Sequence, residues 1–259
     1  MSTVATTRTV PPLGGFSPTF LRLELRRMLR NKRAVIFTLV FPSVFFLLFG
    51  TDASYRSDRS GHGNTTAYVM VSMAVYGAML ATTSGGAMVA TERALGWSRQ
   101  LRLTPLRPVA YVAVKVAVAM MMGLASIVAV FVVGHFAGAE LPVGRLVLCG
   151  VLAWVCTLVF AAFGLFMGYL LPSENVMQIL GPALALLSFA GGLFVPLDQM
   201  SDVFASIAKF TPAYGVGVLS RAPFGEDGSI ALAVVNSAAW AAVFVVGAAW
   251  RMSKDTQRV

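Results

Sequence analysis

Six apolar runs, each of about 20 residues, divide this sequence into long hydrophobic stretches and short polar connections. A run of this length can cross the hydrocarbon core of a bilayer as a single helix. Backbone groups in lipid must be satisfied within the segment, so the spanning elements are predicted to be helices. The sequence therefore predicts an all-α integral membrane protein with six transmembrane helices, at residues 34–50, 67–90, 109–134, 146–171, 176–195 and 230–250.

Composition supports a membrane protein with little room for a soluble domain. Apolar residues make up 57% of the chain and charged residues 12%, against roughly 45–50% and 25% in soluble domains. Residues 1–19 are rich in Thr, Pro and Gly and predict a disordered cytoplasmic tail. We therefore assign residues 20–250 to one transmembrane domain, followed by a second cytoplasmic tail over residues 251–259.

The distribution of arginine and lysine predicts the orientation of the chain. Most of these residues lie before the first run, between the second and third runs, and after the last run. The connections expected on the other side hold Arg56, Arg59, Arg145, Lys209 and Arg221. This asymmetry follows the positive-inside rule and places both termini in the cytoplasm, with the chain in the cell (plasma or inner) membrane. The net charge of +9 is thus explained by topology rather than by nucleic-acid binding.

Residues 20–33 have the pattern of an amphipathic helix. Leu21 and Leu25 share one helix face, and Arg22 and Arg26 share another. A basic amphipathic helix of this kind is predicted to lie in the cytoplasmic interface of the membrane. The alternative is an ordinary basic flank that only sets the topology.

The basic connection between the second and third runs, residues 92–111, predicts a short surface helix. Thr91 is a candidate N-cap, and Glu92 would place a carboxylate at the positive end of that helix. Trp97 and Leu101 have the spacing of one apolar face, and Pro105 would end the helix. The alternative is a basic loop that merely anchors the chain to phospholipid headgroups.

Small residues interrupt two of the apolar runs. Residues 82–86, Thr-Thr-Ser-Gly-Gly, permit either close helix approach or a lining for a transport path. Gly164 and Gly168 form a G-x-x-x-G packing motif, which is as compatible with contacts inside one chain as with a dimer contact.

The segment after the fifth run is apolar but too short to cross a membrane. It begins at Gly192, Phe194 and Pro196, continues through an amphipathic stretch, and ends at Pro212 and Tyr214. We predict a re-entrant or interfacial hairpin on the outer side, between helices 5 and 6.

Two of these stretches resemble the type-2 permeases of ATP-binding-cassette (ABC) exporters, and the resemblance covers most of residues 20–250. In that family the second-to-third connection docks into a cleft of a separate ATPase subunit. The matching positions here are Glu92, Arg93, Gly96, Leu101, Arg102, Thr104, Pro105, Leu106, Pro108 and Tyr111. The outer segment is similar to the family's outer re-entrant region, except that Ser201 and Thr211 replace its Pro and Asn.

The resemblance implies a role for each matched segment. Glu92 and Arg93 would make polar contacts with the ATPase, while Trp97 and Leu101 would fill its cleft. Gly96, Arg102, Thr104 and Pro105 would complete this coupling segment. Leu21, Arg22, Leu25 and Arg26 would belong to an elbow helix that packs near the ATPase.

The resemblance also implies the partners and the energy source. The chain has no G-x-x-x-x-G-K-[ST] phosphate loop, so ATP and magnesium would bind a partner ATPase and no cofactor would bind this chain. A second permease copy or a homologous permease would complete the membrane part. The nearly uncharged spans favour an amphipathic or hydrophobic cargo, such as a drug, antibiotic or lipid, although related permeases export polysaccharides.

An ion-coupled carrier or a membrane scaffold without an ATPase is the rival interpretation. An ion-coupled carrier would be expected to hold an acid near the membrane midplane, and the sequence places none there. His62 and His135 lack the companions of a metal site. Lys115, about two turns into the third span, is predicted to extend its ammonium group to the cytoplasmic interface.

Overall fold

The computed structural model describes residues 12–96, 100, 106–225 and 228–257, and within them the fold is almost entirely helical. Two short strands, β1 (Arg59–Ser60) and β2 (Gly63–Asn64), pair antiparallel. The helices are α1 (Pro18–Arg30), α2 (Lys32–Gly50), α3 (Ala53–Ser57), α4 (Thr65–Ala94), α5 (Pro108–Phe136), α6 (Val143–Leu170), α7 (Ser173–Ala190), α8 (Asp202–Ala208), α9 (Pro212–Arg221) and α10 (Ile230–Gln257).

Five helices of the described chain are long and apolar enough to cross a membrane: α2, α4, α5, α6 and α10. The count reaches six if α8 and α9, which meet at a bend of 93°, are taken as one span. The predicted fifth span, residues 176–195, corresponds to α7, which begins with the polar turn Ser173-Glu174-Asn175 and ends at Ala190. This polar turn lowers the mean hydropathy of α7, so α7 is not among the five long apolar helices. The six-span arrangement therefore stays a prediction.

The longest helix, α4, forms the centre of the fold and packs against α5 and α6. Its contact with α6 depends on glycine. A Cβ atom at Gly164 would collide with the carbonyl oxygen of Thr83, and one at Gly86 would lie 2.6 Å from the amide nitrogen of Leu165. The small residues on both helices therefore provide close approach between neighbours within the chain.

A proline explains the irregular geometry of α2. Residues Ile36–Val40 form a π-helical turn directly before Pro42. Proline has no N–H group, so it leaves the carbonyl of Thr38 without its usual partner four residues on. The hydroxyl of Ser126 on α5 donates to that carbonyl at 2.6 Å. This hydrogen bond satisfies the freed group and fixes α2 to α5.

The connections collect at the two ends of the bundle. At one end, Arg27 of α1 contacts Glu92 of α4, and Arg93 of α4 contacts the end of α6; we call this the basic end. At the other, residues 51–64 meet residues 137–142 and 222–225; we call this the loop end. There the amide of His62 donates to the carbonyl of Phe224 at 2.9 Å.

Parts of both predicted tails are described. Residues Pro12–Gly15 form a short 3-10 turn, and the carbonyl of Gly14 accepts a hydrogen bond from the amide of Arg107 at 2.9 Å. The described part of the N-terminal segment is therefore attached to the start of α5. At the other terminus, α10 continues beyond residue 250 to Gln257.

Candidate coupling site

Residues 92–94, where the predicted helix begins, are instead the end of α4. The backbone stays helical through Thr91 and Glu92 and ends at Ala94, so the prediction of an N-cap at Thr91 is wrong. Gly96 follows with φ +73°, and its amide donates to the carbonyl of Arg93 at 3.0 Å. A left-handed glycine at this place is a common helix end, which explains the Gly96 of the motif.

The rest of the predicted coupling segment lies outside the described residues. It comprises Trp97, Leu101, Arg102, Thr104 and Pro105. Their docking role stays a prediction from the resemblance. The chain is described again from Leu106 onwards, where Pro108 begins α5.

Glu92 is enclosed within the protein, with only 2% of its surface exposed. One carboxylate oxygen accepts from the guanidinium of Arg27 at 2.6 Å and from the ammonium of Lys115 at 2.5 Å. The other accepts from the hydroxyl of Tyr111. The Glu92 carboxylate binds three groups of the same chain, and its contact with an ATPase stays a prediction.

Lys115 joins this carboxylate to a second one on α1. Its ammonium group lies 2.5 Å from Glu24 as well as from Glu92, and the residue is 3% exposed. The predicted extension to the membrane interface is wrong. Two carboxylates offer Lys115 strong charge-assisted hydrogen bonds, which compensate the loss of water more directly than a route to the surface.

Glu24, Arg27, Glu92, Tyr111 and Lys115 form what we call the charge cluster. It contains two carboxylates and two cations, so its formal charges balance. Burying an unpaired charge is very costly, whereas a paired and hydrogen-bonded set is tolerated. Partial burial acts to lower the pKa of Arg27, but the carboxylates of Glu92 and Glu24 outweigh it and raise that pKa above its ordinary value. Arg27 therefore stays charged near neutral pH.

The charge cluster connects three elements, since its members come from α1, the end of α4 and the start of α5. Apolar contacts support the same junction. Leu21 and Leu25 of α1 pack with Val114 and Val118 of α5. Arg22 and Arg26 are exposed on the other side of α1, as the predicted amphipathic pattern requires. The location of α1 in a membrane interface stays a prediction.

Arg93 links the same end of α4 to α6. Its guanidinium donates to the carbonyls of Gly168 and Tyr169, both at 3.2 Å, and lies 5.5 Å from the centre of the Tyr169 ring. These carbonyls belong to the last turn of α6, where a cation is favoured by the helix dipole. Glu92 and Arg93 thus direct their side chains to opposite neighbours of α4.

Sequence reasoning missed Glu24 and the inward role of Lys115. A signal was present: Glu24 is the one acidic residue in a strongly basic helix, and it lies one turn before Met28 on the buried face. An acid on an apolar face predicts a buried cationic partner. Nothing in the pattern, however, indicates that this partner is 91 residues away.

The five predicted residues of the outer segment lie in the turns after α7 and at the start of α9. Gly192 forms a left-handed turn after α7 with φ +75°. The ring of Phe194 packs edge-on against Tyr76, with centroids 4.8 Å apart. Pro196 precedes a short 3-10 turn, Pro212 begins α9, and Tyr214 is buried in its first turn.

Arg221, which the sequence assigned to an outer loop, lies instead at the end of α9 and is 2% exposed. Its guanidinium donates to the hydroxyl of Ser72 at 3.1 Å and to the carbonyl of Gly192 at 3.2 Å. It also lies 5.0 Å from the centre of the Tyr68 ring. Arg221 therefore connects α9 with α4 and with the turn after α7.

Comparison with known proteins agrees with this arrangement. The family model described as ABC-2 type transporter matches residues 19–221, a range that includes the whole charge cluster and the outer segment as far as Arg221. A Bacillus subtilis (strain 168) protein named "Putative transport permease YvfS" is 28% identical over 199 residues, which are 75% of this chain and 79% of that protein. The resemblance predicted from the sequence is confirmed: this multi-pass membrane protein belongs to the ABC-2 type transporter family, as a membrane transport subunit.

Proposed function

We propose that this chain is the permease subunit of an ABC exporter that moves an amphipathic or hydrophobic substrate out across the plasma membrane. Membership of the family implies an ABC ATPase partner. ATP and magnesium would bind that ATPase, and a second permease copy or a homologue would complete the transport path. The observation that carries the proposal is the charge cluster, which ties the end of α4 to α1 and α5 beside the predicted docking segment.

The proposed transmission of force follows from those contacts. Residues 97–105 connect directly to the end of α4, so a push on this segment acts first on Glu92 and Arg93. Glu92 holds Arg27 of α1 and Lys115 of α5, and Arg93 holds the last turn of α6. The four helices would therefore move together at the basic end, and no separate hinge is needed between the docking segment and the spans.

The proposed cargo class is supported by the chemistry of the bundle surface. A groove of about 540 Å³ lies between α5, α6 and α10, lined almost entirely by aliphatic side chains such as Val112, Val116, Leu158 and Ala241. Its volume is in the range of small-molecule sites, roughly 300–1,000 Å³. Such a surface accepts apolar groups from the bilayer and offers little to a bare ion or a sugar.

The test is ATP-driven transport by the chain together with a candidate ABC ATPase from the same genome. We expect the two proteins to purify together and to move a lipophilic dye out of proteoliposomes only with ATP. Trp97→Ala combined with Leu101→Ala should reduce association at least tenfold, since cleft-filling apolar anchors dominate such interfaces. Phe136→Ala with Val132→Ala is the matched control, because both side chains are exposed on α5 towards the loop end.

Two results would reject the proposal. One is uphill transport by this chain without any ATPase, which would favour the ion-coupled carrier. The other is unchanged ATPase association and transport in the Trp97→Ala, Leu101→Ala variant, which would remove the docking role of this segment.

A further inference from the structure

The break between α8 and α9 lies part-way along α10, at the level of Trp240. The indole N–H of Trp240 on α10 donates to the carbonyl of Phe210, within the break, at 3.0 Å. At 1.5 Å per residue, Trp240 is about 15 Å along α10 from Ile230. The hydrocarbon core is roughly 30 Å thick. If α10 spans the membrane, the break is near mid-depth.

A chain break at this depth exposes backbone groups that lipid cannot satisfy. Pro212 cannot donate to the carbonyl of Ala208, which accepts instead from the backbone amide of Thr211 at 2.9 Å. Thr211 covers that carbonyl with its own hydroxyl at 2.8 Å. The carbonyls of Lys209 and Phe210 need donors from elsewhere, and both donors come from α10.

Asn236 reaches both sides of the break. Its amide nitrogen donates to the carbonyl of Lys209 at 2.9 Å, and its amide oxygen accepts from the backbone N–H of Gly215 in the first turn of α9 at 3.3 Å. The residue is nearly buried. A Cβ atom at Gly215 would lie 2.7 Å from that same oxygen and 2.5 Å from the hydroxyl of Ser237, so only glycine permits this contact.

We propose that Asn236 is a positioning residue that clamps the α8–α9 break at mid-depth, with Trp240 as a second clamp. One side chain bonds the end of α8 and the start of α9, so the two short helices and α10 form one body. The existence of the clamp depends on these contacts and not on the proposed function. Its role in transport, to hold the outer segment in place while the basic end moves, rests on the proposed function.

The test is the depth of a spin label at position 210 in proteoliposomes, with Cys149 and Cys156 replaced by alanine. The side chain of Phe210 is 79% exposed, so Phe210→Cys can carry a label without entering the core. In the wild-type background we expect the label to be accessible to oxygen and protected from a water-soluble nickel chelate. Ser57→Cys at the loop end is the water-exposed reference.

The variants separate hydrogen bonding from packing. Asn236→Leu keeps a similar volume but loses both bonds, and a bond of this kind is worth about two- to tenfold in the population of the clamped state. Nickel accessibility should rise by that factor. Asn236→Asp is the conservative variant, because a carboxyl at this depth is neutral and its hydroxyl can donate to Lys209. It should keep most of the protection.

Trp240→Phe removes the indole N–H, and it should raise the nickel accessibility of the label at position 210 by less than Asn236→Leu does. Asn175→Leu, at an exposed position on α7, is the control and should change nothing. The proposal is overturned if the wild-type label at 210 is as accessible to nickel as the label at 57. It is equally overturned if the nickel accessibility at position 210 is the same in Asn236→Leu as in the wild type. The same holds if Asn236→Asp raises this accessibility as much as Asn236→Leu does.

A transport measurement keeps the two proposals distinguishable. Asn236→Leu should lower dye export while ATPase association at the basic end stays at the wild-type level. Should no ATPase associate with the wild-type chain, the proposed function fails. The spin-label result would still decide whether the clamp exists.

Discussion

Lys115 shows how one residue can hold three elements of a membrane protein together. Its ammonium group is shared by Glu24 on α1 and Glu92 on α4. Within lipid or a packed bundle, neither carboxylate can exchange this partner for water. The stability of the basic end is therefore concentrated in very few side chains, unlike an exposed ion pair, which contributes little.

Removal of Lys115 is the sharpest test at this scale. We expect Lys115→Met to lower the free energy of unfolding in detergent by about 3 kcal/mol, because truncating one member of a buried ionic set leaves charges unpaired. Arg27 remains to offset part of the loss. Lys32→Met, an exposed lysine at the same end, should change stability by less than about 0.5 kcal/mol. Equal stability of both variants would show that the charge cluster does not support the fold.

At the scale of elements, the backbones of α4 and α6 approach closely at glycine positions. Gly164 meets the carbonyl of Thr83, and Gly168 lies opposite Ala87. Helices in lipid gain little from hydrophobic burial against each other, so close van der Waals contact decides their association. This explains why the small residues of both helices occur at the same level of the bundle.

Gly164→Ala should therefore separate α4 from α6 locally. The added methyl group has no space, and overpacking of this kind typically costs 1–3 kcal/mol. Gly181→Ala in α7 is the matched control, since a Cβ atom there meets nothing within 4 Å, and alanine favours a helix. Thermal unfolding in detergent measures both. A Gly164→Ala protein as stable as Gly181→Ala would contradict the close approach.

For the whole molecule, the two ends differ in charge and in construction. The basic end is held by ionic groups in a buried site, whereas at the loop end side chains bond backbone groups of neighbouring connections. There, the side chain of Asn64 donates to the carbonyl of Gly138 at 2.9 Å and accepts from the amide of Glu140 at 3.0 Å.

Cysteine labelling on intact cells tests the predicted orientation. In a background without Cys149 and Cys156, we expect Ser57→Cys at the loop end to react with a membrane-impermeant maleimide from outside. Arg30→Cys at the basic end should react only after permeabilisation, because the positive-inside rule retains the basic segments in the cytoplasm. The difference should be at least tenfold. Labelling of both sites from the same face would overturn the orientation.

The sequence by itself determined those features that depend on neighbours along the chain. Apolar runs, the two faces of α1, and the glycine positions for close packing all follow from local periodicity and side-chain size. The family resemblance was readable for the same reason, since its motifs are contiguous.

Only the tertiary structure decided which buried polar groups meet. Lys115 is 91 residues from Glu24 and 23 from Glu92, and Asn236 is 27 residues from Lys209. A buried charge or amide must find a partner, but composition leaves that partner open because any chain segment can supply it. The packing of α1 on α5, and of α10 on the α8–α9 break, selects one partner and turns an expected surface lysine into the centre of the basic end.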